Sequence, residues 1–231
     1  MAPVYLAWVI SAALGVLLAI GLGVTIGRGP LGILIDRRGR YSLTHLQVVL
    51  WTLVVVSLIA GVVMGRLVEG VEDALDLTLP AQVLGVLGIS VGSAVTAKVI
   101  KTNADVRRAD VVAASSRKLK DPPRLAQVVL VEEGPLADRL VDVAKFQNLV
   151  FTVVVLAGYV GAAVVHLRSA ANPAAVTSLP DFSSTFVTLL GISHAGYLTG
   201  KAVPSGETPA AGLTLQMRNE GLPAEQPRNP Q

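Results

Sequence analysis

Four kinds of side chain return at matched places in this chain, and each could make a hydrogen bond or carry a charge inside an apolar medium. Gln47-x-x-x-Trp51-Thr52 is answered by Gln147-x-x-x-Phe151-Thr152, and Leu87-Gly88-Ile89-Ser90 running on to Lys98 is answered by Leu190-Gly191-Ile192-Ser193 running on to Lys201. Leu79-Pro80 and Leu179-Pro180 stand between the two phrases. Adding 100 to Gln47, Thr52, Val54, Val55 and Gly61 lands on the same residue types, and after the prolines the offset becomes 103. Such self-similarity, at one offset before the prolines and a slightly longer one after them, reads as an internal duplication.

The chemistry open to these residues is mostly that of contacts between helices. Thr44-x-x-Gln47 has capping-box spacing, so Gln47 caps its own helix or bonds to a neighbouring one. Ala144 stands at the corresponding cap position while Gln147 persists, which keeps the second reading open. Thr52 and Thr152 belong with the glutamines to a candidate structural or polar cluster. Ser90 and Ser193 bond back to a carbonyl one turn earlier, as helical serines do, or reach across. Lys98 and Lys201 close their helices, where a lysine snorkels to the membrane border and complements the negative helix end. The other role for them is to meet anionic headgroups or an acidic partner.

His194 is the candidate intramembrane functional residue, since ionisable groups within a bilayer are costly. Its counterpart is Val91, so it falls outside the shared pattern. His45 and His166 are placed at opposite borders, about 30 Å apart across the hydrocarbon, which excludes one metal site for the three. Gly196-x-x-x-Gly200-Lys201 is one residue too short for a phosphate loop and continues with Ala202 in place of Ser or Thr. No apolar block contains Asp or Glu, so neither acid–base hydrolysis nor carboxylate-coupled transport is visible. No catalytic, metal or cofactor residue is assigned, and the expectation is a protein that is not an enzyme.

The elements that must position these groups are apolar helices. Hydrophobic residues make up 52% of the 231 residues and charged ones 15%, and the apolar residues gather in blocks of about 20, the length that crosses a bilayer. Spans are predicted at about 4–27, 45–64, 80–100, 146–167 and 182–203. The first reads as an uncleaved span, because the basic residues Arg28, Arg37, Arg38 and Arg40 follow it. Basic residues also crowd the segment between the third and fourth spans, from Lys101 to Lys145, whereas Glu69, Glu72, Asp73 and Asp76 follow the second. The positive-inside rule then places the N-terminus outside and the C-terminus inside.

The predicted fold is an all-α membrane protein of five transmembrane helices. It divides into an N-terminal helix (1–28), a first two-helix copy (29–101), a basic cytoplasmic linker (102–125), a second two-helix copy (126–203) and a disordered cytoplasmic tail (204–231). Two spans per copy make the copies parallel, related by an approximate two-fold axis along the membrane normal. Ile33–Asp36 and Val128–Glu132 read as short cytoplasmic strands, with a helix from Ala137 to Lys145 after the second. Depth allows Gln47 and Gln147 each to meet a lysine, Lys98 or Lys201, at the inner border. Gly23/Gly27, Gly61/Gly65, Gly88/Gly92 and Gly196/Gly200 have the spacing of close-packed membrane helices.

The paired phrases resemble those of bacterial multi-pass inner-membrane proteins usually left as uncharacterised. The resemblance covers roughly residues 32–203 and implies a cytoplasmic-membrane location, with no activity, ligand or catalytic residue attached. Two functions are carried forward. One is a scaffold or anchor presenting the basic loop and tail to a cytoplasmic protein partner, with anionic lipid as the surrounding surface and no nucleic acid. The other is a channel or small-solute pore, built by the copies or by a homo-oligomer. A pore requires Thr52, Thr152, Ser90 and Ser193 to line water, and a scaffold requires them to be buried between helices.

Overall fold

The computed structural model describes residues 2–107, 122–132 and 137–202. Within them the chain forms five α-helices: α1 (Ala2–Thr25), α2 (Leu43–Val68), α3 (Ala81–Arg107), α4 (Val143–Ser169) and α5 (Ser184–Ala202). Helices are what lipid demands, because each backbone N–H and C=O is satisfied within the segment. Of the expected linker 102–125, residues 102–107 continue α3 and residues 108–121 lie outside the described residues, as does the tail 204–231.

Four helices, α1 to α4, are long and apolar enough to cross a membrane. α5 has 19 residues, a rise of about 28 Å, which is close to span length. Ser184, Thr185, Thr188, Ser193, His194 and Thr199 dilute its apolarity, so the fifth expected span matches in length and not in composition. α2 packs on α3, α3 on α5, α5 on α4 and α4 on α2, closing a ring of four helices, and α1 lies outside it against α2.

Glycine sets the α1–α2 distance. A Cβ at Gly61 would stand 2.6 Å from Trp8 Cβ and 2.7 Å from its Cα, and one at Gly65 would collide with Val4. Lipid supplies no hydrophobic drive between helices, so this close approach and its dispersion contacts must hold α1 in place. Trp8 Nε1 donates to Ser57 Oγ at 3.2 Å, and Tyr5 OH donates to the Val164 carbonyl at 3.0 Å. The expectation of tight packing fails at Gly27, and also at Gly88, Gly92, Gly196 and Gly200, where a Cβ would meet nothing within 4 Å. The last four glycines are exposed on the outer faces of α3 and α5.

α1 and α2 end in the same way. Gly27 N–H bonds to Val24 O and Arg28 N–H to Gly23 O, while Gly70 N–H bonds to Leu67 O and Val71 N–H to Arg66 O. These are Schellman pairs, and they need a left-handed residue just past the helix. Gly27 and Gly70 supply it, each with φ +72°.

Neither expected strand forms. Gly32–Leu34 and Leu125–Val128 are 3-10 turns, each followed by one isolated antiparallel bridge, Ile35 to Tyr41 and Leu130 to Val141. The runs are too short for a ladder, and the chain doubles back at once into α2 and α4. The helix expected from Ala137 is likewise absent: residues 137–139 turn, with Asp138 at φ +63°, and α4 starts at Val143.

At the end of the bundle where α2 and α4 finish, the two connecting loops pair across the interior. Thr78 N–H donates to Thr177 O at 2.9 Å, and Leu179 N–H donates to Thr78 O at 3.1 Å. Beneath this link Trp51, Tyr159 and Phe182 fill the core. Tyr159 and Phe182 stack with centroids 4.5 Å apart, and Trp51 meets Phe182 edge-on at 5.8 Å, the offset and edge geometries that aromatic quadrupoles favour.

Candidate functional site

Below the aromatic residues the interior turns polar. Gln47 is 1% exposed, Asn148 and Thr152 are 0% exposed, and His194 is 2% exposed, so these groups have only each other to bond. Gln47 Nε2 donates to Asn148 Oδ1 at 2.9 Å and to Thr152 Oγ1 at 2.6 Å. An amide nitrogen has two hydrogens, which leaves the 3.5 Å approach to His194 Nε2 the weakest of its three contacts. His194 Nδ1 lies 2.6 Å from Ser93 Oγ. Hydrogen bonds thus tie α2 to α4 and α5 to α3, and the two pairs come within 3.5 Å of each other at Gln47 and His194.

This settles several sequence readings. α2 starts at Leu43 with Ser42 as N-cap, and Ser42 makes no side-chain cap bond. Gln47 is an interhelical residue and not a cap. Gln147 is exposed on the outside of α4, and its neighbour Asn148 takes the interior position. Neither glutamine meets a lysine, so the expected Gln–Lys pairing does not form. Thr152 is buried while Thr52 is exposed. Ser90 and Ser193 are buried at 2% and 6%, and their Oγ atoms find no partner among the described residues.

At the end where α2 and α4 begin and α3 and α5 finish, the polar interior becomes ionic. Glu132, on the segment ahead of α4, is met by three lysines from three helices. Lys145 Nζ of α4 lies 2.8 Å from Oε1, Lys101 of α3 lies 2.9 Å from Oε2, and Lys201 of α5 lies 3.0 Å from both oxygens. Lys101 also reaches Asp36 Oδ2 at 2.8 Å, joining the segments that precede α2 and α4. Lys145 donates to Leu130 O at 2.8 Å, and Lys201 donates to Tyr197 OH at 2.9 Å. Arg40 pairs with Asp138 at 2.7 Å and donates to Val131 O at 3.2 Å.

Burial by itself would raise the Glu132 carboxyl, but Lys101, Lys201 and Lys145 outweigh it and hold the group well below the ordinary carboxylate range. Asp36 follows the same logic. Burial pushes it up, while Lys101 and the Arg40 N–H push it down and prevail. Charge-assisted bonds of this kind are short and are about twice as strong as neutral ones.

Lys201 is therefore a site residue with a different partner from the one expected, and Lys98 is exposed. Lys101 is the α3 lysine that does the pairing. Lys101, Lys145, Glu132, Asp36, Asn148 and Ser93 were not singled out from sequence. A signal existed for the carboxylates, because Asp36 and Glu132 each end a short apolar run ahead of a predicted span. Beside the cluster is a cavity of about 150 Å³ lined by Val131, Glu132, Asp142, Ala144, Lys145, Tyr197, Gly200 and Lys201. Among the described residues no group of three or more His, Cys, Asp or Glu could hold a metal. No protein-family model, curated protein or solved structure matches the chain.

Proposed function

We propose that the protein is a non-enzymatic membrane scaffold that holds its basic cytoplasmic segment against the inner face of a bacterial cytoplasmic membrane for a protein partner. In this reading α1 starts outside, all five helices span, and the lysine cluster faces the cytoplasm. The observation that carries it is the burial of Thr152, Ser90 and Ser193 between helices, under a core closed by Trp51, Tyr159 and Phe182; Thr52, which a scaffold would also bury, is exposed. A pore within one copy of the chain would need those side chains on a water-filled path. The Glu132 cluster suits a scaffold, since it ties the segment before α4 to α3, α4 and α5 at once.

The proposed duplication, two parallel pairs of helices, draws support from interior spacing. Positions 90, 93, 97 and 101 of α3 and 190, 193, 197 and 201 of α5 all face inward, apart by 100 throughout. On this register Lys101 pairs with Lys201, whereas the sequence identities at an offset of 103 pair Lys98 with it.

The second reading is a pore at the axis of a homo-oligomer, favoured by the exposed glycines 88, 92, 196 and 200. Purification in mild detergent with a mass measurement of the particle, with residues 204–231 present and absent, tests the scaffold. A stoichiometric cytoplasmic protein lost with the tail or with the basic segment supports it. Reconstitution into liposomes that then leak small solutes, with no protein partner recovered, sinks it in favour of the pore.

A further inference from the structure

We propose that Lys101, Lys145 and Lys201 form an oxyanion-binding site which the chain's own Glu132 occupies, and which a phosphate group, free or on a lipid headgroup, can take over. The first ground is convergence. Three ammonium groups from three separate helices close on the two oxygens of one carboxylate at 2.8 to 3.0 Å, and the lysine side chains are 4% to 16% exposed. Lys101 divides itself between Glu132 and Asp36, while Lys145 and Lys201 both ion-pair with Glu132, and gathering three buried cations on one carboxylate costs several kcal/mol of desolvation per ion. Three donors around a compact anion are instead the arrangement that a phosphate oxygen cluster recruits.

The second ground is placement. Lys145 lies in the first turn of the 27-residue helix α4, where the macrodipole disfavours a cation and favours an anion. The cavity opens on that same turn, with Asp142, Ala144 and Lys145 in its wall. Tyr197, Gly200 and Lys201 of α5 also line it. Its volume of about 150 Å³ is many times the ~10–15 Å³ that admits one water.

The third ground is the balance of charge. Lys101, Lys145 and Lys201 face Asp36, Glu132 and Asp142, three against three, and Asp142 spends Oδ1 on the Lys145 backbone N–H at 3.1 Å. An incoming anion must therefore displace Glu132 rather than add to it. Glu132 sits on an irregular segment and can leave without unwinding a helix. The lysines stay behind on α3, α4 and α5, and Val129–Glu132 is then held to the bundle by Arg40 on the Val131 and Glu132 carbonyls and Lys145 on Leu130 O. The site thus couples anion binding to the freedom of the segment before α4. This holds whether or not the protein is a scaffold.

The test uses the purified full chain in detergent, with tryptic cleavage after the exposed Arg139 followed by mass spectrometry. Inorganic phosphate should speed that cut about tenfold over chloride at equal ionic strength, the factor that ~1.4 kcal/mol of differential binding gives. Rates equal to those in chloride with both inorganic phosphate and short-chain phosphatidic acid overturn the proposal. Short-chain phosphatidic acid acting where inorganic phosphate does not assigns the site to lipid headgroups, and action by both assigns it to the phosphate group itself. An equal effect of short-chain phosphatidylcholine overturns it as a detergent effect. Glu132→Gln, which keeps the shape and removes the charge, should show a larger phosphate-dependent rise in Tm than wild type, and Glu132→Gln with Lys145→Met should lose it. If Glu132→Gln does not fold, the cleavage of the wild type decides alone.

Discussion

Gln47 of α2 and Asn148 of α4 face each other across the bundle interior, Nε2 to Oδ1 at 2.9 Å, while Gln147 beside Asn148 is exposed. Replacing Gln47 by Leu leaves Asn148 and Thr152 without their shared donor. The expected loss is about 1–3 kcal/mol, the cost of an unsatisfied buried group. Gln147→Leu should stay within about 0.5 kcal/mol of wild type. Reversible unfolding in mixed micelles compares the two, and equal effects would refute the interior placement of Gln47.

The glycines divide in the same way. Gly61→Leu drives a side chain into Trp8 and should detach α1 from α2, seen as loss of a disulfide engineered between the two helices. Gly92→Leu enters open space and should leave that crosslink intact. A drop in oligomer mass for Gly92→Leu would show that this face carries a contact between copies.

Acid should loosen the ionic cluster. The folded state depresses Glu132 and Asp36, so their stabilisation is fully present above the unfolded carboxylate values of about 3.9–4.3. It is lost as pH falls through the still lower folded values. Wild type should lose stability below about pH 4, and Glu132→Gln, already lacking the charge, should lose less over that window. Parallel acid curves for the two proteins would count against the cluster as a source of stability.

Orientation can be read with single cysteines. Leu75 is 80% exposed and Asn172 is exposed, so Leu75→Cys and Asn172→Cys should react with an impermeant thiol reagent in intact cells. Leu140→Cys, at 49% exposure on the opposite end, should react only after permeabilisation. Ala74 is a poor probe, because it is buried. Labelling of residue 140 in intact cells would reverse the orientation.

The membrane class and the helix positions were legible because runs of about 20 apolar residues permit little else. The site was half legible. Gln47, Thr152, Ser193, Lys201 and His194 were picked by type and depth, and the structure brings them into the interior or the ionic cluster. Gln147, Thr52 and Lys98 were picked by the same wording and face outward. Repeated letters mark depth along a helix, but one residue of register turns a side chain by 100°, and the wording does not record that turn. Glu132 was hidden for another reason. Its partners Lys101 and Lys201 lie 31 and 69 residues away on either side, 132 − 101 and 201 − 132, and only tertiary packing brings them together.

The bridge between Thr78 and Ser178 bears on how the chain assembles. Its two sides are 100 residues apart, 178 − 78, and between them lie the whole of α3 and α4. Neither side can find the other until both intervening helices have been delivered and paired, since closing so long a loop gives no return before those contacts exist. This small patch of backbone is a fastening made late in assembly. A chain stalled after α3 would leave Thr78 N–H open to exchange, and protection of that one amide would time the closing of the ring.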